Sequence, residues 1–146
     1  MAKYELEMLT AERVKELWHE IRPHIVASFS SNEIGAMTAE PDDILPLALT
    51  DMCVIFGGFR DKVLTTVLVL QFNEQSGHKG ADILALGGAD LHRFKQEFWQ
   101  VIINWLKANE VEYLDAYSNE RMAKIYKAKY GFTKSCVLVR MPLQEL

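Results

Sequence analysis

The chain has 146 residues and a net charge of −4, with 49% apolar and 25% charged residues. That length suffices for one domain, expected to span residues 1–146, with a core that needs no staples. The balance is that of a globular protein rather than a disordered or fibrous one, and the acidic sum gives no general field for a phosphate backbone, so nucleic acid is not an expected partner.

The opening MAKYELEML carries acids among its apolar residues, unlike a secretory leader, and no apolar run is long enough to cross a bilayer. A cytoplasmic protein with no membrane partner is therefore expected. Cys53 and Cys136 each sit in an apolar run without Cys-x-x-Cys spacing, which reads as two buried free thiols.

In chain order, residues 3–10 alternate as a half-buried strand, and Thr10 offers its hydroxyl to cap a helix. That helix, AERVKELWHEIRPHIVASF, lines up Val14, Leu17, Trp18, Ile21 and Ile25 on one face, with Pro23 expected to end or bend it. The polar stretch SSNEIGAMTAEPDD reads as a loop before a short helix, DDILPLALTD, interrupted by Pro46. Two β-branched runs, MCVIFGGF and VLTTVLVLQF, flank Arg60-Asp61-Lys62 as an antiparallel hairpin, and Gly57-Gly58 inside it marks a bulge or close packing. NEQSGHKG is expected to be the next loop and ADILALGG a short strand.

The longest amphipathic segment, DLHRFKQEFWQVIINWLKANE, opens on Asp90 as a helix cap and presents Leu91, Phe94, Phe98, Ile102, Trp105 and Leu106 along one face. VEYLDAYS then reads as a strand, SNERMAKIYKAKYGF as a basic helix ending at Gly131, and SCVLVRMPL as a last strand. The order is β-α-α-β-β-β-α-β-α-β. An antiparallel front and a β-α-β back half predict an α/β (α+β) fold: one mixed, mostly antiparallel sheet with helices on both faces.

This order, with the ending Asn119, helix, Gly131-Phe132 and strand, resembles the GNAT superfamily of acyl-CoA-dependent N-acyltransferases. The element order covers nearly the whole chain, while the residue-level likeness is concentrated in residues 81–106 and 118–140. The resemblance implies acetyl-CoA as the acyl donor, an amine as acceptor, and two central strands that splay apart to admit the thioester. It also implies a pyrophosphate resting on backbone amides at the start of the long helix, where the helix dipole favours an anion.

The family fingerprint at that helix is Gln/Arg-x-x-Gly-x-Gly/Ala, because small residues let phosphate approach the backbone. Here Arg93-Phe94-Lys95-Gln96-Glu97-Phe98 falls at or near the slot: the Arg matches and both glycines are missing. Arg93 and Lys95 are then side-chain ligands for phosphate. The alternative is that Gly87 and Gly88, with Ala89, supply the amides, in which case a capping Asp90 competes with pyrophosphate for the same donors.

By the same resemblance Ala81-Asp82-Ile83 matches the family's Ala-Glu-Ile, which makes Asp82 the candidate general base, acting through water if its side chain is too short. Backbone groups of Leu84, Ala85 and Leu86 are expected to hold the thioester carbonyl. Asn119 is a CoA contact, a helix cap, or both. Counting forward from Asn119 puts Tyr126 where the family often keeps an acid for the departing thiolate; counting back from Gly131-Phe132 puts Lys127 there instead. An amphipathic anchor is the structural alternative for Tyr126, and a solvated strand-end carboxylate is the alternative for Asp82.

No metal is expected, since His19 and His24 do not stack on one helical face and no Cys or acid completes a set. Ser28, Ser30 and Ser31 lack a nucleophile-elbow setting and are placed along an acceptor groove. A second reading accompanies the enzymatic one: a GNAT-fold protein without a working CoA site, acting through protein partners. Small proteins of this outline with a similarly eroded phosphate motif occur in tailed phages, some as virion components, which would place the chain in a virion or a host cytoplasm.

Overall fold

The structure, a computed structural model, describes residues 2–30, 40–116, 120–135, 139 and 141. Strand β1 (Tyr4–Leu9) leads into helix α1 (Ala11–Ser30), where the Thr10 hydroxyl accepts the Arg13 amide at 3.2 Å as its position predicts. Helix α1 does not end at Pro23 but runs on to Ser30. The ring removes one amide, but Val14, Ile21 and Ile25 are fully buried on either side of it and hold both halves against the sheet.

After a 3-10 turn (Pro41–Asp43) comes α2 (Ile44–Leu49), which Pro46 does not interrupt. Pro46 sits in the first turn, where an amide has no intrahelical acceptor to lose. Strands β2 (Val54–Arg60) and β3 (Val63–Gln75) form the predicted hairpin through Asp61 and Lys62, both at positive φ (48° and 68°), the two-residue turn that matches strand twist. The register shifts between Gly58 and Phe59, so the Gly57-Gly58 pair does mark a bulge.

The stretch NEQSGHKG is not a loop. β3 runs to Gln75 and β4 (His78–Gly88) starts at His78, leaving Ser76 and Gly77 as a second two-residue turn. The polar residues there mark a hairpin tip standing in solvent, not an end to pairing, and ADILALGG is the inner part of a longer strand.

Helix α3 (Leu91–Ala108), strand β5 (Tyr113–Ala116) and helix α4 (Glu120–Tyr130) follow. The last predicted strand, with Cys136, falls largely outside the described residues. The sheet order is β1-β2-β3-β4-β5, antiparallel except for the parallel pair β4 and β5. One face packs Ile55, Val67, Val69, Leu84 and Ala85 against α1 and α2, and the other packs Phe56, Leu68, Leu70, Ile83 and Leu86 against α3 and α4. Cys53 belongs to the first core, where burial pushes its thiol up to about 11, an inert state.

Candidate functional site

Among the described residues the sheet opens beside β4 where β5 ends. Pairing between β4 and β5 runs from Gly80↔Tyr113 to Ile83↔Ala116, whereas β4 continues to Gly88. Residues 84–88 therefore keep β3 on one side and have no strand partner on the other among the described residues. The register with β3 jumps from Leu70↔Ile83 to Val69↔Ala85, so Leu84 is the extra residue of a bulge. A bulge bends its strand and re-aims the residues beyond it, and here Leu84 and Ala85 both face the α1 side while Leu86 faces α3.

Helix α1 closes over the end of this open edge. A Cβ on Gly87 would lie 2.2 Å from the His24 carbonyl oxygen, so the absent side chain is what lets the helix backbone touch the strand. Ser28 Oγ accepts the Leu86 amide at 3.1 Å. Gly88 likewise admits β3, because a Cβ there would lie 2.1 Å from the Thr65 carbonyl oxygen. Both glycines thus have packing duties, and the next amide, that of Ala89, donates to Thr65 at 2.9 Å.

The start of α3 corrects the expected Asp90 seal. Asp90 occupies the cap position with φ −114° and ψ 43°, and its carboxylate makes no capping hydrogen bond. Its carbonyl accepts the Phe94 amide, but the amides of Leu91, His92 and Arg93 have no acceptor among the described residues. These are the bare donors a helix N-terminus offers to an anion. Beneath this turn Gly58, Thr66, Asp90, Arg93 and Phe94, among others, line a crevice too tight to hold a water molecule. The Thr66 hydroxyl is buried without a partner among the described residues.

The expected side-chain ligands are turned elsewhere. Arg93 stacks its guanidinium 4.5 Å from the Tyr4 ring centroid and bonds Glu97 at 3.2 Å, while Lys95 lies over the Tyr130 ring at 5.6 Å. Asn119 lies outside the described residues.

On the α1 side of the sheet, just before the open edge, sits a polar patch. Tyr113 lies across Gly80, where a Cβ would meet its ring at 2.1 Å, and its hydroxyl donates to Asn73 Oδ1 at 2.6 Å. Two residues further along each strand come Asp82 and Asp115, register partners on the same face by strand alternation. Both are half-buried. Burial, and then the Asp82 charge, hold the Asp115 carboxyl above the ordinary carboxylate range. Burial followed by Asp115 and Asp82 also raises the Tyr113 phenol.

The rise at Asp115 has a stability consequence. A carboxyl that binds its proton more tightly in the folded state supports folding below its unfolded pKa and loses that support as pH climbs through the folded value. Asp115→Asn is therefore expected to raise the melting temperature at pH 7, with the gain shrinking towards pH 4. Melting curves across that range check it, and an equal effect at every pH contradicts it.

Tyr126 stands on α4 in the second core, 7% exposed, with its ring 5.0 Å from that of Phe132 and 5.7 Å from that of Tyr130. Burial, with Tyr130 as the lesser cause, pushes its phenol up to about 12. A shallow hollow of about 460 Å³ lies at the β3–β4 turn around Lys79, Lys107 and Glu112, and none of the sequence-predicted site residues lines it. Among the described residues no group of His, Cys, Asp or Glu could hold a metal, and no helix is long and apolar enough to cross a membrane.

Asp82 and residues 84–88 are thus brought onto one strand that feeds directly into the bare amides of α3. Asp115 and Tyr113 join them without having been singled out in the sequence. Their alternation in VEYLDAYS was the available signal, though only the register places them opposite Asp82 and Gly80.

No family model matches the sequence, and neither does any curated protein. Solved structures do match. A GCN5-related N-acetyltransferase from Ralstonia eutropha JMP134 superposes with a TM-score of 0.71 at 14% identity, over 96% of this chain and 99% of that one. A predicted acetyltransferase from Clostridium acetobutylicum, solved with acetyl-CoA, gives 0.68 at 13% identity, covering 100% and 99%. The ribosomal-protein-alanine N-acetyltransferase from Brucella melitensis biovar Abortus 2308 gives 0.63 at 13% identity, covering 96% and 100%. At such identities the likeness concerns architecture, and on that ground the chain has the fold of the GNAT N-acetyltransferases.

Proposed function

We propose that the chain is an acyl-CoA-dependent N-acyltransferase that moves an acetyl group to an amine. The observation that carries this reading is one continuous run of backbone: a bulged strand edge at residues 84–86, with no strand partner on its outer side among the described residues, leads within a few residues to three amides at the start of α3 that have no acceptor among them. The similar Clostridium acetobutylicum structure contains acetyl-CoA, and aminoglycoside acetyltransferases are also among the similar structures.

The residues fit such a donor at the backbone. The amides of Leu91, His92 and Arg93 would hold phosphate with the helix dipole behind them, and backbone groups of Leu84, Ala85 and Leu86 would hold the acyl carbonyl. Gly87 and Gly88 support this site by packing. Arg93 and Lys95 remain near enough in sequence to add charge, and Asn119 is retained as a contact or cap. The bound thioester supplies an activated acyl carbon.

Asp82 acts as the base that takes the proton from the acceptor's ammonium. It precedes Leu86 by four residues, about 10–13 Å of strand, so the proton passes through water. Asp115 beside it adds a second negative charge that favours a cationic amine. Tyr126, with a phenol near 12, is a weaker acid than an ordinary thiol at about 8.5. It therefore serves the departing sulfur as a hydrogen-bond donor rather than by complete proton transfer.

Binding is tested by thermal shift. Acetyl-CoA at a hundredfold its Kd is expected to stabilise the fold by about 2.7 kcal/mol, which is roughly 5–10 °C for a chain of this size. A flat response at millimolar acetyl-CoA contradicts the proposal. That flat response is what the second reading, an interaction protein acting through protein partners, predicts. Its support is that Arg93 is engaged by Tyr4 and Glu97 and the Leu86 amide by Ser28.

A further inference from the structure

The open edge of β4 already carries an oxygen. The Leu86 amide points away from β3 and donates to Ser28 Oγ at 3.1 Å, at the place where an acyl carbonyl would seek a donor. An amide has one proton, so it serves the hydroxyl or a ligand oxygen, and not both at full strength. Helix α1 packs closely on the strand there, with the His24 carbonyl seated where a Cβ on Gly87 would stand. Rotation of the Ser28 side chain about its own Cα–Cβ bond is the smallest movement that frees the amide.

We propose that Ser28 is an internal competitor for the acyl carbonyl, occupying the Leu86 amide in the ligand-free protein and setting how strongly the site prefers an acylated donor over free CoA. This rests on the N-acyltransferase reading and adds a specificity-determining residue to it. Free CoA ends in a thiol and has no carbonyl to offer, so its binding does not require the exchange. Acetyl-CoA does require it, and one hydrogen bond is broken for each one formed. With Ser28 in place the acetyl carbonyl therefore contributes little net affinity. Removing the hydroxyl leaves the amide open and lets the carbonyl contribute its full share.

The test is calorimetric titration of wild type and Ser28→Ala with acetyl-CoA and with CoA, alongside the Leu86 amide resonance of the ligand-free proteins. Ser28→Ala is expected to tighten acetyl-CoA about fivefold, the worth of one ordinary hydrogen bond, to leave CoA unchanged, and to shift the Leu86 resonance. Should the alanine variant fail to fold, Ser28→Cys, whose thiol is a weaker acceptor, is expected to move affinity in the same direction. Equal preference for the two ligands in both proteins overturns the proposal and leaves the acyltransferase reading standing. Weaker acetyl-CoA binding by the variant also overturns it, because Ser28 would then assist the carbonyl. If acetyl-CoA and CoA both fail to bind wild type and variant, both readings fall together.

Discussion

Asp82→Asn is expected to lower kcat/KM for amine acetylation by about 10²- to 10³-fold, within the range a positioned general base contributes. The substitution keeps the side chain's size at a half-buried site, so the fold and the Kd for acetyl-CoA should stay near their wild-type values. The loss should fall on kcat. Raising pH should partly restore the rate, since an amine that has already lost its proton needs no base. A variant within about threefold of wild type would remove Asp82 from the mechanism and leave Asp115, its register partner, as the carboxylate to examine.

Gly87→Ala is expected to produce a large loss of stability. The new methyl would stand 2.2 Å from the His24 carbonyl oxygen and 3.2 Å from Ser28 Cβ, and the first of these is backbone that no rotamer change can move. Either α1 or the end of β4 must shift. Overpacking of this kind costs about 3 kcal/mol, which is roughly 10 °C in Tm for a chain of this size. The same shift should break the contact from Ser28 to Leu86. A melting temperature within about 2 °C of wild type would mean that α1 does not press on the strand as described.

Much of this architecture can be read from periodicity. The apolar face of α3 and the alternation in β1 stand out because one face of each element is buried and the other is not, and the two β-branched runs of β2 and β3 stand out because they are buried deep in the sheet. Polarity misled at NEQSGHKG, where exposed side chains belong to a paired strand. Neither Pro23 nor Pro46 ends its helix, because a buried apolar face and a first-turn position outweigh the missing amide.

Site residues are harder, because they depend on register and on long-range contacts. Asp90 has the composition of a cap, but its backbone holds ψ at 43° rather than in the extended range, and the carboxylate does not reach the amides. Asp115 meets Asp82 only through the pairing of β5 with β4. Ser28 and Leu86 meet because a glycine lets a helix approach a strand end, and no local pattern in either segment announces that contact.

Amide hydrogen exchange with and without acetyl-CoA is the most direct measurement of the central claim, that the start of α3 offers its peptide nitrogens to a ligand. The structure predicts that the amides of Leu91, His92 and Arg93 exchange readily in the free protein and become protected when acetyl-CoA is added, together with residues 84–86. Unchanged exchange at those positions under saturating ligand, or protection confined to another face of the sheet, would contradict it.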